Sequence, residues 1–341
     1  MSKERDYLFD NAKGILIFLV VFGHMIEYSV FRTTDIVEYV YSGLYIFHMP
    51  VFIFISGYFS KKNNEKKVVQ LFLTYILWQM VIYPLFSSIA LGTSYSEELN
   101  PLFSPKTTYW YILSLIAWKV ITPYLSKLRF SFAITVVAGI LIGLTDMKMS
   151  LSLFSFGRTI VFYPFFMAGY LTTKETFYSV INRIKKHWGI ILFVLVVIIG
   201  LGILYWLADF LLKEKGINKM LYGKDIYEKI YVRDLIGIAT RCLLYVVQFG
   251  CTILFFTFIP RVNTFLTKFA TNSMLIYLTH SMLFKYVERA YLKNFVFPDG
   301  WIVIIAGLIL TYIYCRLLSI NVVSKWGSKI STINIDKIFK E

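Results

Sequence analysis

The chain has 341 residues, of which 57% are hydrophobic and 16% are charged, and its formal net charge is +15. The apolar residues form long blocks instead of alternating faces, and blocks of about 20 residues are what a bilayer core requires. Because no strand-like alternation is present, helices must satisfy the backbone hydrogen bonds. The composition excludes an ordinary soluble domain and predicts an all-α, polytopic membrane protein. We interpret the positive charge as a topology signal that also favours anionic lipid, and not as a sign of nucleic-acid binding.

Ten apolar segments are interpreted as transmembrane helices. They comprise residues 14–31, 41–60, 68–92, 107–126, 130–146, 157–173, 188–210, 234–259, 270–290 and 300–320. We expect Pro164 to break the short sixth segment, because proline removes a helical hydrogen bond. The longest polar stretch, 211–233, is too short to fold alone, so a single membrane domain is predicted over residues 1–341.

Lysine and arginine predict the orientation of these segments. Outside the 211–233 loop, 20 of these residues fall on the side of the N-terminus and 7 on the opposite side. Positive residues concentrate in cytoplasmic loops, so both termini are predicted to be cytoplasmic. The three cysteines lie in apolar segments without C-x-x-C spacing, so neither a disulfide framework nor a metal site is predicted.

The first segment holds two ionisable residues at membrane depth, His24 and Glu27, with Lys13 at its entrance. Such groups are costly in hydrocarbon and usually serve function. His24 and Glu27 are three residues apart and share a helix face, and a carboxylate beside an imidazole favours a general base. Lys13 precedes His24 by about 16 Å along a helix, so a cation can hold one end of an extended ligand whose other end reaches the histidine. A structural histidine bonded to a carbonyl is the alternative.

The second, sixth and eighth segments contain further polar candidates. His48 is predicted to open the second helix, since Pro50 suits a first turn, and Gly57 permits close backbone approach. An interfacial histidine with a packing glycine is the structural alternative there. Arg158 begins the sixth segment and either lines a polar interior or reaches the interface. Arg241 lies deeper in the eighth segment, where lining a cavity and a structural role are equally open.

Candidates for ligand contact also occur in the fourth and ninth segments and in one loop. Tyr277 and His280 lie on one helical stripe, and Trp110 belongs to an aromatic group that in many membrane proteins forms an interfacial belt. The loop run KKNNEKK includes Lys61 and Lys62. This run is a topology determinant that could also pair with the phosphates of an entering cofactor.

Five segments in order resemble motifs of the acyltransferase-3 family of membrane O-acyltransferases, in its fucose 4-O-acetylase-like branch. The family's opening helix resembles RDYLFDNAKGILIFLVVFGHMIE, and its hallmark arginine and histidine, with ten residues between them, correspond to Lys13 and His24. Motifs of the second, fourth, sixth and ninth helices resemble FHMPVFIFISGYFSKK, TYWYILSLIAWK, FGRTIVFYPFFMAGYL and NSMLIYLTHS. The resemblance covers essentially the whole chain, and lysine in place of arginine is a departure that this branch shares.

The resemblance implies an enzyme that moves an acyl group, most often acetyl from acetyl-CoA, onto a hydroxyl of an extracytoplasmic glycan. It implies that His24 is the base or a transient acyl acceptor and that Lys13 holds CoA phosphates near the cytoplasmic face. Arg158 carries over as a pore-lining residue, and His48 matches the second motif. The expected partners are acyl-CoA, a carbohydrate acceptor and the lipid of a bacterial cytoplasmic membrane, with no metal cofactor and with a homo-oligomer left open.

A permease or exporter for a glycan or its precursor is the alternative, because ten helices with polar interior groups also describe a transporter. Transporters often carry internal repeats with helices broken at matching positions. Here only the segment around Pro164 is predicted to be broken, and we find no repeat. A membrane scaffold of a polymer-assembly complex is a third interpretation.

Overall fold

The computed structural model describes residues 6–29, 35–61, 65–94, 96, 102–105, 108–145, 155–207, 219–223, 234–292, 295, 297–333 and 335, and all regular structure in these ranges is helical. In chain order the helices are α1 (Tyr7–Ile26), α2 (Asp35–Tyr58), α3 (Glu65–Ile76), α4 (Tyr83–Leu91), α5 (Trp110–Leu125), α6 (Ser131–Leu141), α7 (Phe156–Leu171), α8 (Lys174–Asn182), α9 (Lys186–Leu207), α10 (Lys219–Tyr222), α11 (Asp234–Thr257), α12 (Leu266–Thr271), α13 (Ser273–Val287), α14 (Gly300–Leu318) and α15 (Asn321–Ser331). A π-helical turn, Leu77–Ile82, joins α3 to α4.

Six helical stretches in the described ranges are long and apolar enough to cross a membrane. They are Tyr7–Ile26, Asp35–Tyr58, Glu65–Ala90, Lys186–Ile203, Asp234–Thr257 and Gly300–Leu318. In the Lys186–Ile203 stretch only 11% of the apolar window is buried within the chain, so its side chains need lipid around them. The prediction of an all-α, polytopic membrane protein is confirmed, whereas ten spans and two cytoplasmic termini stay predictions.

Two predicted helix boundaries at prolines are wrong. Helix α7 runs through Pro164, and α2 begins at Asp35, so that Pro50 and His48 lie inside it. A proline removes one helical hydrogen bond, and membrane helices tolerate this loss because neighbouring groups satisfy the freed backbone. In the turn before Pro164, side chains from two other helices bond backbone carbonyls of α7.

The described residues cluster into two compact units. The first comprises Met1–Tyr41, Asn64–Ile116 and Pro260–Glu341, and the second comprises Ser42–Asn63 and Ala117–Ile259. Single-domain organisation over residues 1–341 stays a prediction.

In the first unit, α1 is the central helix and packs against α12, α13 and α14. A side chain at Gly14 would overlap the backbone carbonyl of Leu266, so this glycine allows the two helices to approach closely. The buried Asn11 amide donates to the carbonyls of Pro260 and Val262, 2.8 Å from each, and its oxygen accepts the Thr264 hydroxyl. These contacts fix α1 against the segment that leads into α12.

In the second unit, α2 and α7 cross at a reciprocal pair of glycines. A Cβ atom at Gly57 would overlap the carbonyl of Phe166, and one at Gly169 would overlap the carbonyl of Phe54. The predicted role of Gly57 in close backbone approach is thus confirmed. Helices α9 and α11 form a second packed pair in this unit.

Candidate active site

The end of α1 presents His24 and Glu27 as a hydrogen-bonded pair. The helix ends at Ile26, and a 3₁₀ turn over Glu27–Ser29 follows it. The His24 Nδ1 atom lies 2.7 Å from Glu27 Oε2. Because a carboxylate accepts this bond, Nδ1 carries the proton and Nε2 keeps its lone pair. The side chains are 22% and 53% exposed, so the pair is reachable from outside the chain.

A second histidine, from α13, completes this cluster. The ring centroids of His24 and His280 are 5.3 Å apart, and their planes are inclined by 40°. His280 is fully buried, and its Nδ1 lies 3.1 Å from the carbonyl of Ile276. Its Nε2 has no hydrogen-bond partner within the described part of the chain. Donation by Nδ1 leaves this buried nitrogen as an open acceptor beside His24.

Aromatic residues form the wall behind His280. The Tyr277 ring lies 5.8 Å from that of His280 and 5.7 Å from that of Tyr111. The Tyr277 hydroxyl donates to the carbonyl of Thr108, and the Tyr109 hydroxyl donates to the carbonyl of Leu278, 3.1 Å away. These two bonds tie the start of α5 to α13.

Two predicted substrate contacts have structural roles in this wall. Trp110 is buried and packs edge-on against Tyr111. The hydroxyl proton of Tyr277 is committed to a backbone carbonyl, so an oxyanion-binding role would require that bond to break. Both residues can still shape the side of the histidine cluster. Their predicted substrate contacts stay predictions.

A cationic group lies near the other end of α1. Lys13 is half-buried and interacts electrostatically with Asp10 and with Lys67 of α3. For the Lys13 ammonium, attraction to the Asp10 carboxylate is larger than repulsion from the Lys67 ammonium. His24 follows Lys13 by 11 positions on the helix, about 16 Å along the axis.

The remaining predicted residues lie in the second unit or outside the described residues. Lys61, Arg158 and His48 belong to the second unit, and Lys62 lies outside the described residues. Lys61 donates to the carbonyl of Thr172; partial burial lowers the pKa of its ammonium, and the nearby Glu175 carboxylate raises it.

His48 is buried within α2 and is not an interfacial residue. Its Nδ1 donates to the carbonyl of Leu44, 2.5 Å away, and the Tyr45 ring packs edge-on against the imidazole. Its predicted contact with substrate stays a prediction.

Sequence reasoning missed three features of this site. It treated His24 and His280 separately, because nothing local in the sequence relates two helices so far apart. It named Lys61 and Lys62, whereas Lys67 of the same run is the lysine beside Lys13. Position relative to the helix distinguishes these lysines, since Lys67 lies inside α3, whereas Lys61 and Lys62 precede it in the sequence. The buried Asn11 was also overlooked, although it lies in the first motif.

An all-α membrane protein with a carboxylate-supported histidine at the end of its first helix has the features of a membrane acyltransferase. Residues 6–320 match the family described as an acyltransferase domain. The chain therefore belongs to the acyltransferase-3 family.

Curated relatives are consistent with this assignment. The chain is 25% identical over 308 residues to the nodulation protein NolL of Mesorhizobium japonicum, covering 84% of this chain and 79% of that protein. It is 29% identical over 229 residues to NolL of Sinorhizobium fredii, covering 61% of this chain and 59% of that protein. No solved structure matches the chain.

Proposed function

We propose that the protein transfers an acyl group, most simply acetyl, from cytosolic acyl-CoA to a hydroxyl of an extracytoplasmic glycan, with His24 as the general base. The hydrogen bond between His24 Nδ1 and the Glu27 carboxylate carries the proposal. It leaves Nε2 of His24 free to accept a proton, and the carboxylate stabilises the imidazolium that forms.

The reaction that this arrangement supports is direct acyl transfer. Nε2 of His24 takes the proton of the acceptor hydroxyl while the hydroxyl oxygen attacks the thioester carbonyl. The tetrahedral intermediate collapses, the carbon–sulfur bond breaks, and the CoA thiolate leaves with the proton from the imidazolium. The products are the glycan ester and CoA. In the other order that the residues allow, Nε2 itself receives the acyl group first and then passes it to the hydroxyl.

His280 supports the proposal as a residue that positions the acceptor. Nε2 of His280 has no partner among the described residues and can accept a hydrogen bond from the acceptor. Because Nδ1 carries the proton of the neutral ring, Nε2 has none to donate to an oxyanion. A substrate hydroxyl bonded there would lie beside the ring of His24. The wall formed by Tyr111 and Tyr277 would limit how the sugar enters.

Lys13 and Lys67 support the assignment of the donor. CoA is an extended molecule with its phosphates at the end opposite the thioester. Lys13, about 16 Å from His24 along the helix axis, and the nearby Lys67 supply two positive charges that suit the phosphates of such a donor. With the predicted cytoplasmic N-terminus, the donor would stay on the cytosolic side while the acyl group reaches His24.

Labelled acetyl-CoA tests the proposed activity against export. Purified protein in lipid nanodiscs would be incubated with acetyl-CoA, labelled in the acetyl group, and with glycan extracted from cells that lack the protein. We expect label to move to the glycan in a base-labile ester, with release of CoA. Movement of glycan across proteoliposomes, without acetyl transfer or thioester cleavage, would contradict the enzyme and support an exporter.

A further inference from the structure

Three polar side chains of α11 are buried in the second unit, and most of their polar atoms have no hydrogen-bond partner among the described residues. Arg241 is 2% exposed, Gln248 is 1% exposed and Thr240 is 2% exposed. Within the described residues, Nε and Nη1 of Arg241, both amide atoms of Gln248 and the Thr240 hydroxyl make no hydrogen bond. Such groups are rare in folded proteins and mark a ligand, trapped water or a functional constraint.

Among the described residues of the second unit, no carboxylate forms an ion pair with Arg241. The carboxylates that the structure describes in the second unit are Glu175 and Asp234, both exposed, and neither forms an ion pair with Arg241. Lysine and arginine far outnumber acidic residues in the same described ranges. An unpaired guanidinium is unfavourable in a protein interior, and an anionic ligand would relieve that cost.

The spacing of Arg241 and Gln248 indicates the shape of the ligand. Arg241 and Gln248 are seven residues apart on one face of α11, a separation of about 10 Å along the axis. A guanidinium matches the fork of a carboxylate, and a carboxamide with both atoms free suits hydroxyl or acetamido groups. One cation balances one negative charge, so a singly charged ligand fits better than a phosphate monoester.

We propose that Arg241 and Gln248 form a binding site for a saccharide that carries a carboxylate, with the carboxylate on Arg241 and a neighbouring sugar on Gln248. The proposal rests on the proposed function and gives its acceptor a chemical class, an acidic glycan. Under the predicted topology, α11 begins on the extracytoplasmic side, from which such a glycan would enter.

A binding experiment without any acyl donor tests this site. Full-length protein in phosphatidylcholine nanodiscs would be titrated with methyl glucuronide and with its neutral counterpart, methyl glucoside. We expect the glucuronide to bind the wild type more tightly. Arg241→Gln should weaken glucuronide binding by roughly 10- to 150-fold, the range for loss of a hydrogen bond between charged groups, and leave glucoside binding unchanged. Gln248→Leu should weaken binding of methyl glucoside, which can occupy only the sugar position, and should affect methyl glucuronide less, because Arg241 holds its carboxylate about 10 Å away along the axis.

Thr252→Val is the matched control. Thr252 is a buried polar residue of the same helix whose hydroxyl donates to the Gln248 carbonyl within α11. We expect this variant to bind both sugars as the wild type does. Equal affinity for the two sugars, no glucuronide binding to the wild type, or unchanged binding by Arg241→Gln would overturn the proposal.

Two further measurements distinguish a saccharide-binding arginine from a structural arginine and from a lipid contact. Because Arg241 has no hydrogen-bond partner among the described residues and an unpaired guanidinium is unfavourable, Arg241→Gln should keep or raise the melting temperature, and unfolding of this variant would instead show a structural arginine. Phosphatidylglycerol nanodiscs test a lipid headgroup as the anion. Competition between phosphatidylglycerol and glucuronide that disappears in Arg241→Gln would assign the site to lipid and overturn the saccharide. Failure of acetyl transfer with intact glucuronide binding would count against the proposed function alone.

Discussion

The imidazole rings of His24 and His280 lie with their centroids 5.3 Å apart, although the residues are 256 positions apart in the chain. Nδ1 of His24 is hydrogen-bonded to the Glu27 carboxylate, and Nδ1 of His280 is hydrogen-bonded to the Ile276 carbonyl. The two Nε2 atoms therefore have similar chemistry and different surroundings. The ring beside the carboxylate is suited to accept a full proton, and the fully buried ring is suited to orient a hydroxyl.

The first prediction concerns His280. His280→Phe keeps an aromatic ring in the cluster and removes the open acceptor nitrogen. We expect kcat/KM for the acceptor to fall by roughly 10-fold or more, the effect of about 1.4 kcal/mol or more, while acetyl-CoA affinity is unchanged. Steady-state kinetics at varied acceptor concentration provide the measurement. Wild-type kinetics in this variant would remove His280 from acceptor positioning.

Glu27→Gln tests the carboxylate of the pair. The amide still bonds the His24 ring but lacks the charge that stabilises an imidazolium, so transfer should be slowed by an intermediate amount. Steady-state rates of acetyl transfer provide the measurement. A wild-type rate in this variant would give Glu27 a packing or lipid-interface role.

Lys13 and Lys67 are predicted to share the phosphates of the donor. Lys13→Ala should weaken acetyl-CoA binding by roughly 10- to 150-fold, and Lys13→Arg should retain it. Lys67→Ala should give a smaller loss, since its side chain is exposed. Donor dissociation constants at fixed ionic strength provide the comparison, with the exposed Lys186→Ala as a control. Equal constants in Lys13→Ala and wild type would leave Lys13 as a topology determinant only.

The crossing of α2 and α7 is predicted to be sensitive to the size of residue 57. Gly57→Ala places a Cβ atom against the Phe166 carbonyl, and overpacking of this kind typically costs about 1–3 kcal/mol. Gly202→Ala is the control, because a Cβ there meets no atom within 4 Å. We expect a lower melting temperature for the first variant and an unchanged or slightly higher one for the second. Equal melting temperatures would show that the crossing is not tightly packed.

The sequence predicts some of these features well because they depend on local spacing. Composition and the long apolar blocks predict the all-α membrane class, and a three-residue offset places Glu27 beside His24. The predicted helix start near Pro50 and the predicted break at Pro164 are wrong, because the cost of a proline depends on neighbours that satisfy the backbone. The contact between His24 and His280 depends on how α1 packs against α13, and no local pattern encodes it.

Removal of the His24 imidazole tests the proposed mechanism most directly. The rate of acetyl transfer from labelled acetyl-CoA to glycan would be measured for His24→Ala and for the control His187→Ala, in which an exposed histidine of α9 is removed. Proton transfer by a positioned side chain contributes roughly 10²- to 10⁴-fold to the rate. The transfer rate of His24→Ala should therefore fall by roughly 10²-fold or more, whereas His187→Ala should keep the wild-type rate. Activity above about a tenth of wild type in correctly folded His24→Ala protein would contradict the central role of His24.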